Sequence, residues 1–364
     1  MQIKDLTAAI EEMAPLPLQE DFDNSGLLIG SKDTEIKRAL ITLDVTEAVL
    51  QEAIAGKCDL IISHHPLIFH GIKRLTGEET LTRIITKAIR ENIAIYAAHT
   101  NLDNAGKGLN ASLCSTLGIR NTKVLLPQAG KLLKLITFCP VDHAEKVRMA
   151  IFEAGAGHIG NYDCCSFNLV GNGTFRGSDE TNPFVGEKNK VHTEKEVRVE
   201  VILPSFLKEK VVRALIGSHP YEEVAYDLYP LANDYPVAGS GMIGELENPE
   251  EEIAFLGRIR SILGLPVVRH SGLTGKPVQR IAVCSGAGSF LIKEAMKNKA
   301  DAFLTADLKY HEFFEGENRM LIADIGHYES EKGAKELIYS VLNKKFPTFA
   351  LLISETDTNS VHYL

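Results

Sequence analysis

Six side chains from three separate stretches carry the chemistry of metal ligands: His64 and His65, His99 and Asp103, and His327 and Glu331. Mixed imidazole and carboxylate sets suit Zn, Fe or Mn, whereas Mg and Ca prefer oxygen-only shells. One tetrahedral zinc needs about four donors, so six point to a two-metal site or to a supporting role for one of them. Two ions held together can activate water for attack on an electrophilic carbon or phosphorus. The spacing supports convergence. His99 and Asp103, like His327 and Glu331, are four residues apart, which on a helix puts both on one face, one turn apart. His64 and His65 are adjacent, and on a regular strand they would point to opposite faces. The irregular backbone before Pro66 lets both turn toward one point. Taken singly, each pair also has a bland reading, such as hydrogen-bonded surface histidines or a first-turn Glu favoured by the helix dipole. Together they favour a metal site.

The elements that must position these residues are short apolar strands. Residues 60–63 form an apolar run that should stop near Ser63, because Pro66 cannot donate a ladder hydrogen bond. The pattern predicts a helix over 3–13 and a strand over 39–43. Thr46 caps a helix reaching residue 55, Gly56 ends it, and a strand over 58–62 follows. A helix over 79–92, a strand over 93–98 and a helix ending at Gly118 complete this part. Strands separated by helices of such length make parallel βαβ units, whose ligands gather at the carboxyl ends of the strands. All three histidine-bearing stretches lie at such ends.

The character changes near residues 126–130. Strands over 133–138, 167–170, 197–203 and 224–229, with helices over 142–154 and 205–217, give the order β-α-β-β-α-β of a ferredoxin-like domain. The glycine-rich stretches 155–162 and 171–186 are expected as exposed loops with several positive φ angles. Alternation resumes after 239–244, with helices over 250–263, 289–298 and 330–344 and strands over 281–284, 302–305, 321–325 and 349–353. The expected class is therefore α/β, with two similar halves, residues 1–125 and 236–364, forming one unit around an inserted α+β domain over 126–235.

Composition removes several function classes. At 364 residues with 45% hydrophobic and 24% charged residues, the chain is long enough for two or three domains, and no apolar run approaches the ~18 residues of a membrane span. The N-terminal residues lack a basic region followed by an apolar one, so a cytoplasmic protein is expected. Six cysteines without Cys-x-x-Cys spacing argue against a disulfide framework or zinc finger. A net charge of −9 argues against a duplex nucleic-acid binder, leaving small molecules and protein partners.

Three other stretches are weaker candidates. Residues 284–289 lie between a strand and a helix, where a phosphate-cradling loop or a plain tight turn would sit. His219-Pro220-Tyr221-Glu222-Glu223 reads as a structural turn before a strand. Residues 305–312 read as helix capping and a polar wall of the crevice.

The motifs Phe22-Asp23-Asn24-Ser25-Gly26-Leu27, Ser63-His64-His65-Pro66, His99-Thr100-Asn101-Leu102-Asp103, Cys284-Ser285-Gly286-Ala287-Gly288 and Asp324-Ile325-Gly326-His327-Tyr328-Glu329-Ser330-Glu331 resemble those of the NIF-three-like family, known also as GTP cyclohydrolase type 2. Gly160-Asn161-Tyr162, Asn182-Pro183-Phe184 and His219 to Tyr226 resemble the insert of its longer members, a domain similar to PII and CutA. The resemblance implies two divalent metal ions per subunit held by His64, His65, Asp103, His327 and Glu331, with His99 as their neighbour. It also implies a homohexamer, and a hydrolase acting on a small molecule such as a nucleotide, with Glu331 and His99 as catalytic candidates. For GTP, water would attack C8 of the guanine ring and release formate. The alternatives are a phosphoester hydrolase using the same residues, or a metal-delivery or regulatory protein without turnover.

Overall fold

Apolar runs of four or five residues recur between amphipathic helices, and those at 60–63, 94–97, 302–306 and 321–324 form strands buried on both faces. A computed structural model describes residues 1–364. Its strands are β1 Gly26–Ile29, β2 Arg38–Thr42, β3 Leu60–Ser63, β4 Ala94–Ala97, β5 Arg120–Gln128, β6 Leu132–Pro140, β7 Phe167–Phe175, β8 His192–Pro204, β9 Tyr226–Pro230, β10 Tyr235–Glu250, β11 Arg269–His270, β12 Val278–Ala287, β13 Ala302–Ala306, β14 Leu321–Asp324 and β15 Ala350–Ile353. The chain divides into two units, Met1–Pro127 with Pro236–Leu364, and Gln128–Tyr235.

The first unit holds two sheets. One has the order β1-β4-β3-β2-β15, parallel except for β1, and the other β11-β14-β13-β12-β10-β5, with β12, β13 and β14 parallel. The two halves of the chain exchange edge strands: β15, from the chain's end, joins the N-terminal sheet, and β5 joins the C-terminal one. The core explains the apolar runs. Ile281 and Val283 of β12 face Phe255 and Ile259 of the helix Glu252–Leu263, while Ala282 and Cys284 face Ile292 and Ala295 on the opposite side. A parallel sheet covered on both faces requires that continuity. In the N-terminal sheet Leu40, Ile61 and Ile95 pack on Val49, Leu50 and Ala53 of the helix Glu47–Ala55, and Thr46 accepts a hydrogen bond from the Val49 amide as its cap.

The second unit is one antiparallel sheet, β7-β8-β6-β9, with the helices Ala144–Glu153 and Lys208–Ser218 on one face. Alternate β8 residues Val197, Val199, Val201 and Leu203 meet Val147, Ile151, Val211 and Leu215, so period-two alternation made this segment legible.

Three features differ from expectation. The stretch 171–186 begins as strand, since Gly171 and Gly173 lie in β7, and Gly186 is its single positive-φ glycine. The strands β1, β5, the 16-residue β10 and the two-residue β11 have no counterpart in the sequence reading. β10 was hidden by its glycines, which are there for close approach. A Cβ on Gly239, at φ +152°, would fall 2.1 Å from the Leu126 carbonyl oxygen. Gly239→Ala is therefore expected to destabilise the first unit by roughly 1–3 kcal/mol, seen as a lower urea midpoint at unchanged m-value.

Candidate metal centre

His64 and His65 leave the end of β3 while the backbone is still pinned to β2. The His64 amide donates to the Thr42 carbonyl (3.2 Å), the His65 amide to that of Leu43 (3.0 Å), and the Ser63 hydroxyl to the His65 carbonyl (2.7 Å). The turn into Pro66 brings the two rings to a centroid separation of 5.0 Å, as the pre-proline backbone suggested. After β4, His99 precedes the short helix Thr100–Asn104, and the Asp103 amide donates to the His99 carbonyl (3.1 Å). After β14, Gly326 at φ +74° turns the chain into the one-turn helix His327–Glu331, which sets His327 Nε2 3.0 Å from Glu331 Oε2.

All six sequence-selected residues meet. Their ligand atoms form three groups, each within 4.8 Å: His64, His65 and His99; His65, His327 and Glu331; and His64, Asp103 and Glu331. Glu331 belongs to two of them. Its Oε2 lies 2.8 Å from His65 Nε2 and 3.9 Å from His64 Nε2.

Every imidazole is oriented from behind through Nδ1. His64 Nδ1 donates to the Ala98 carbonyl (2.7 Å), His65 to Asp44 (2.7 Å), His99 to Asp23 (2.8 Å) and His327 to Asp307 (2.6 Å). A proton on Nδ1 leaves the Nε2 lone pair of the neutral ring for the centre, the arrangement of carboxylate-histidine-metal sites. Asp44, Asp23 and Asp307 were not singled out as orienting groups from sequence. Asp23 stood in a recognised motif without a role, and Asp307 was read as part of a polar wall. The available signal was an acidic residue just after β2 or β13, the same edge that carries the histidines. Asp44 is itself held by the Thr358 hydroxyl (2.6 Å), in a C-terminal segment that Glu52 also ties down through Ser354 and Thr356.

The electrostatics fit a cation site. His64 Nε2 and Asp103 Oδ1 are buried, 3.7 Å apart, and neither has a hydrogen-bond partner. Leaving such groups unmatched costs about 1–3 kcal/mol each. Burial pushes the Asp103 carboxyl up to about 7, with the Glu331 charge adding to the shift. Burial opposes the ionised form of Glu331, but hydrogen bonds from His327 and His65 and the nearby His64 imidazole hold it well below the usual carboxylate range. Burial would lower His65 and His327, yet their carboxylate partners raise them to about 10 and about 9. Burial and the Asp103 and Glu331 charges push the thiol of neighbouring Cys284 up. The donor atoms that cluster are imidazole nitrogens and carboxylate oxygens. His64 is fully buried, while the His327 side chain is 37% exposed, so the centre opens to solvent on the His327 side.

The glycine stretch at 284–289 serves this centre. The Gly286 amide donates to Ser330 Oγ (3.0 Å), so it is not free for a phosphate, and a Cβ there would fall 2.1 Å from Glu331 Oε1. His219 accepts from the Tyr221 amide (3.1 Å) and lies 2.9 Å from the Phe138 carbonyl, a structural turn as read from sequence.

The family model for Duf34/NIF3 (NGG1p interacting factor 3) matches residues 1–360. The chain belongs to the Duf34/NIF3 family. Among relatives, it is 39% identical over 361 residues to a protein of Halalkalibacterium halodurans named GTP cyclohydrolase 1 type 2 homolog, covering 97% of this chain and 95% of that one. A Bacillus subtilis protein of the same name is 38% identical, covering 97% and 96%. Among solved structures, a Bacillus cereus protein related to NIF3 superposes with a TM-score of 0.86 at 36% identity, covering 100% of this chain and 99% of that one. A further Duf34/NIF3-like fold occurs in HcgD from Methanocaldococcus jannaschii, with a TM-score of 0.58 at 19% identity, covering 98% of each chain.

Loss of a carboxylate that orients a metal-bound histidine commonly costs 10–100-fold in metal affinity. Asp44→Asn, which leaves all six inner residues in place, is expected to weaken metal binding by about that factor in chelator-competition titrations.

Proposed function

We propose that the first unit is a dinuclear, metal-dependent hydrolase acting on a small molecule, with the ring-opening of GTP to dihydroneopterin triphosphate and formate as its reaction. The observation that carries the metal reading is the buried, partnerless pair His64 Nε2 and Asp103 Oδ1, facing each other at 3.7 Å among imidazoles all presented through Nε2. His64, His65, Asp103, His327 and Glu331 would hold two ions; His64, His65 and Glu331 each belong to two ligand groups, and of these the two-oxygen carboxylate of Glu331 suits a ligand shared between them. Bound divalent ions supply the acidity that brings water toward ionisation near neutral pH and polarise the bond under attack. The nitrogen and oxygen donor set favours Zn, Fe or Mn. The relatives' name, GTP cyclohydrolase 1 type 2 homolog, supports the choice of substrate.

The chain's own residues divide the remaining work. Glu331, held ionised by three imidazoles, is a poor base and acts first as a ligand. Proton handling falls to His99, whose Nδ1–H is fixed on Asp23 and whose Nε2 faces the other imidazoles. Asp23 is a firm anchor: burial would raise its pKa, but bonds from His99, Thr100 and Ser25 hold it well below the usual carboxylate range. The opening beside His327 gives a substrate its approach. The likeness of the second unit to PII and CutA modules, the homohexamer and the cytoplasmic setting belong to the same proposal; for the module, the support is the strand order β7-β8-β6-β9.

Elemental analysis of the purified protein is expected to find two divalent equivalents per chain, falling in His64→Ala and His327→Ala. Metal-loaded protein incubated with GTP should release formate, while a phosphoester panel should yield no phosphate. Phosphate release instead would move the reaction to phosphoesters, and no turnover with Zn, Fe or Mn refilled would leave a metal carrier. His99→Gln should lower kcat by about 10²–10⁴-fold with metal content unchanged; a loss of metal in that variant would make His99 a ligand.

A further inference from the structure

A cavity of about 570 Å³ lies wholly within the second unit, shares no residue with the metal centre, and is within the usual size range for small-molecule sites. Its floor is bare backbone. In β7, Gly171 and Gly173 face the cavity from positions paired with Glu196 and Glu194 of β8. A Cβ on Gly171 would meet no atom within 4 Å, and one on Gly173 would fall 2.0 Å from Glu196 Oε2. The missing side chain at Gly171 leaves open space on this sheet face, while the one at Gly173 makes room for the Glu196 carboxylate.

Aromatic rings stand over that surface. The Tyr221 ring centroid lies 5.9 Å from that of Phe175 and 6.3 Å from that of Phe184, both tilted. At one edge sits Glu196, only 8% exposed. The Tyr221 hydroxyl donates to Glu196 Oε1 (2.8 Å), which fixes the carboxylate while Oε2 rests above Gly173. Burial and the Glu196 carboxylate push the Tyr221 phenol up, so it remains a donor and cannot become a second anion. Asn182 and Glu222 hold the covering loop in place, the Asn182 amide donating to Glu222 Oε1 (2.8 Å).

A glycine floor suits a planar ring, aromatic walls suit stacking and edge contacts, and a buried, oriented carboxylate requires a donor. Lining cations Arg176 and Arg198 are outnumbered by Glu196, Glu222 and Glu223, so the cavity does not select for an anion. Its volume far exceeds an ammonium head group, which aromatic rings would also accept. We propose that this cavity binds a flat nitrogen heterocycle presenting N–H donors at one edge, a guanine-type rather than an adenine-type ring. The donors meet Glu196, and the ring lies on Gly171, beside the carboxylate that covers Gly173. This holds whether or not the metal centre is a hydrolase.

Calorimetric titration of the full-length protein with guanosine, and with adenosine as the control, tests it. Guanosine should bind saturably and at least about tenfold tighter than adenosine, because its N–H edge can donate to the Glu196 carboxylate and the adenosine edge lacks that pair of donors. Gly171→Leu, which fills open space, and Glu196→Gln should each weaken guanosine binding about tenfold or more at unchanged metal content. His64→Ala should leave it intact. No saturable guanosine binding, equal affinity for adenosine, indifference to both cavity variants, or loss in His64→Ala alone would each overturn the proposal. So would tetramethylammonium displacing guanosine with higher affinity, which would reassign the rings to a cation.

Discussion

One carboxylate oxygen, Glu331 Oε2, lies within 4 Å of the Nε2 atoms of His64, His65 and His327, and the fold around it is arranged to keep it there. Three imidazoles at that spacing would repel one another when protonated, and a lone buried carboxylate would be costly to ionise. Each is tolerable only beside the other. The positions follow from strand ends in two sheets, His64 and His65 from β3 and His327 with Glu331 from β14, so the centre exists only while both sheets are formed.

The supporting groups show how rigidly the centre is built. Asp44, Asp23, Asp307 and the Ala98 carbonyl each take one Nδ1–H, turning four rings the same way round. The C-terminal segment contributes as well, since Thr358 holds Asp44 and Ser354 and Thr356 hold Glu52. Gly286 leaves room for the Glu331 carboxylate where any side chain would collide. Among the six candidate ligands, His64 Nε2 and Asp103 Oδ1 are the buried atoms left without a partner, and Ser285 Oγ in the neighbouring glycine stretch is a third.

The second unit places a second, unrelated cavity in the same chain, with its own buried carboxylate. The two sites differ in character. The metal centre gathers nitrogen and oxygen donors around a point, whereas the cavity over Gly171 offers open backbone, rings and a carboxylate.

Much of this was legible in the residues themselves. The i, i+4 spacing of His99 with Asp103 and of His327 with Glu331 survives folding because one helical turn is a local geometry. Apolar runs such as 60–63 and 302–306 declare buried parallel strands, and Val197 to Leu203 declare a half-buried one, because side-chain period reports burial directly. What sequence could not supply is non-local. The exchange of β5 and β15 between sheets, the glycine-bearing strand β10 and the pairing of each histidine with its aspartate or carbonyl all join groups distant in the chain. Local pattern fixes which side chains face a core or a crevice; which crevice walls face each other is decided by packing, and only the tertiary structure carries that.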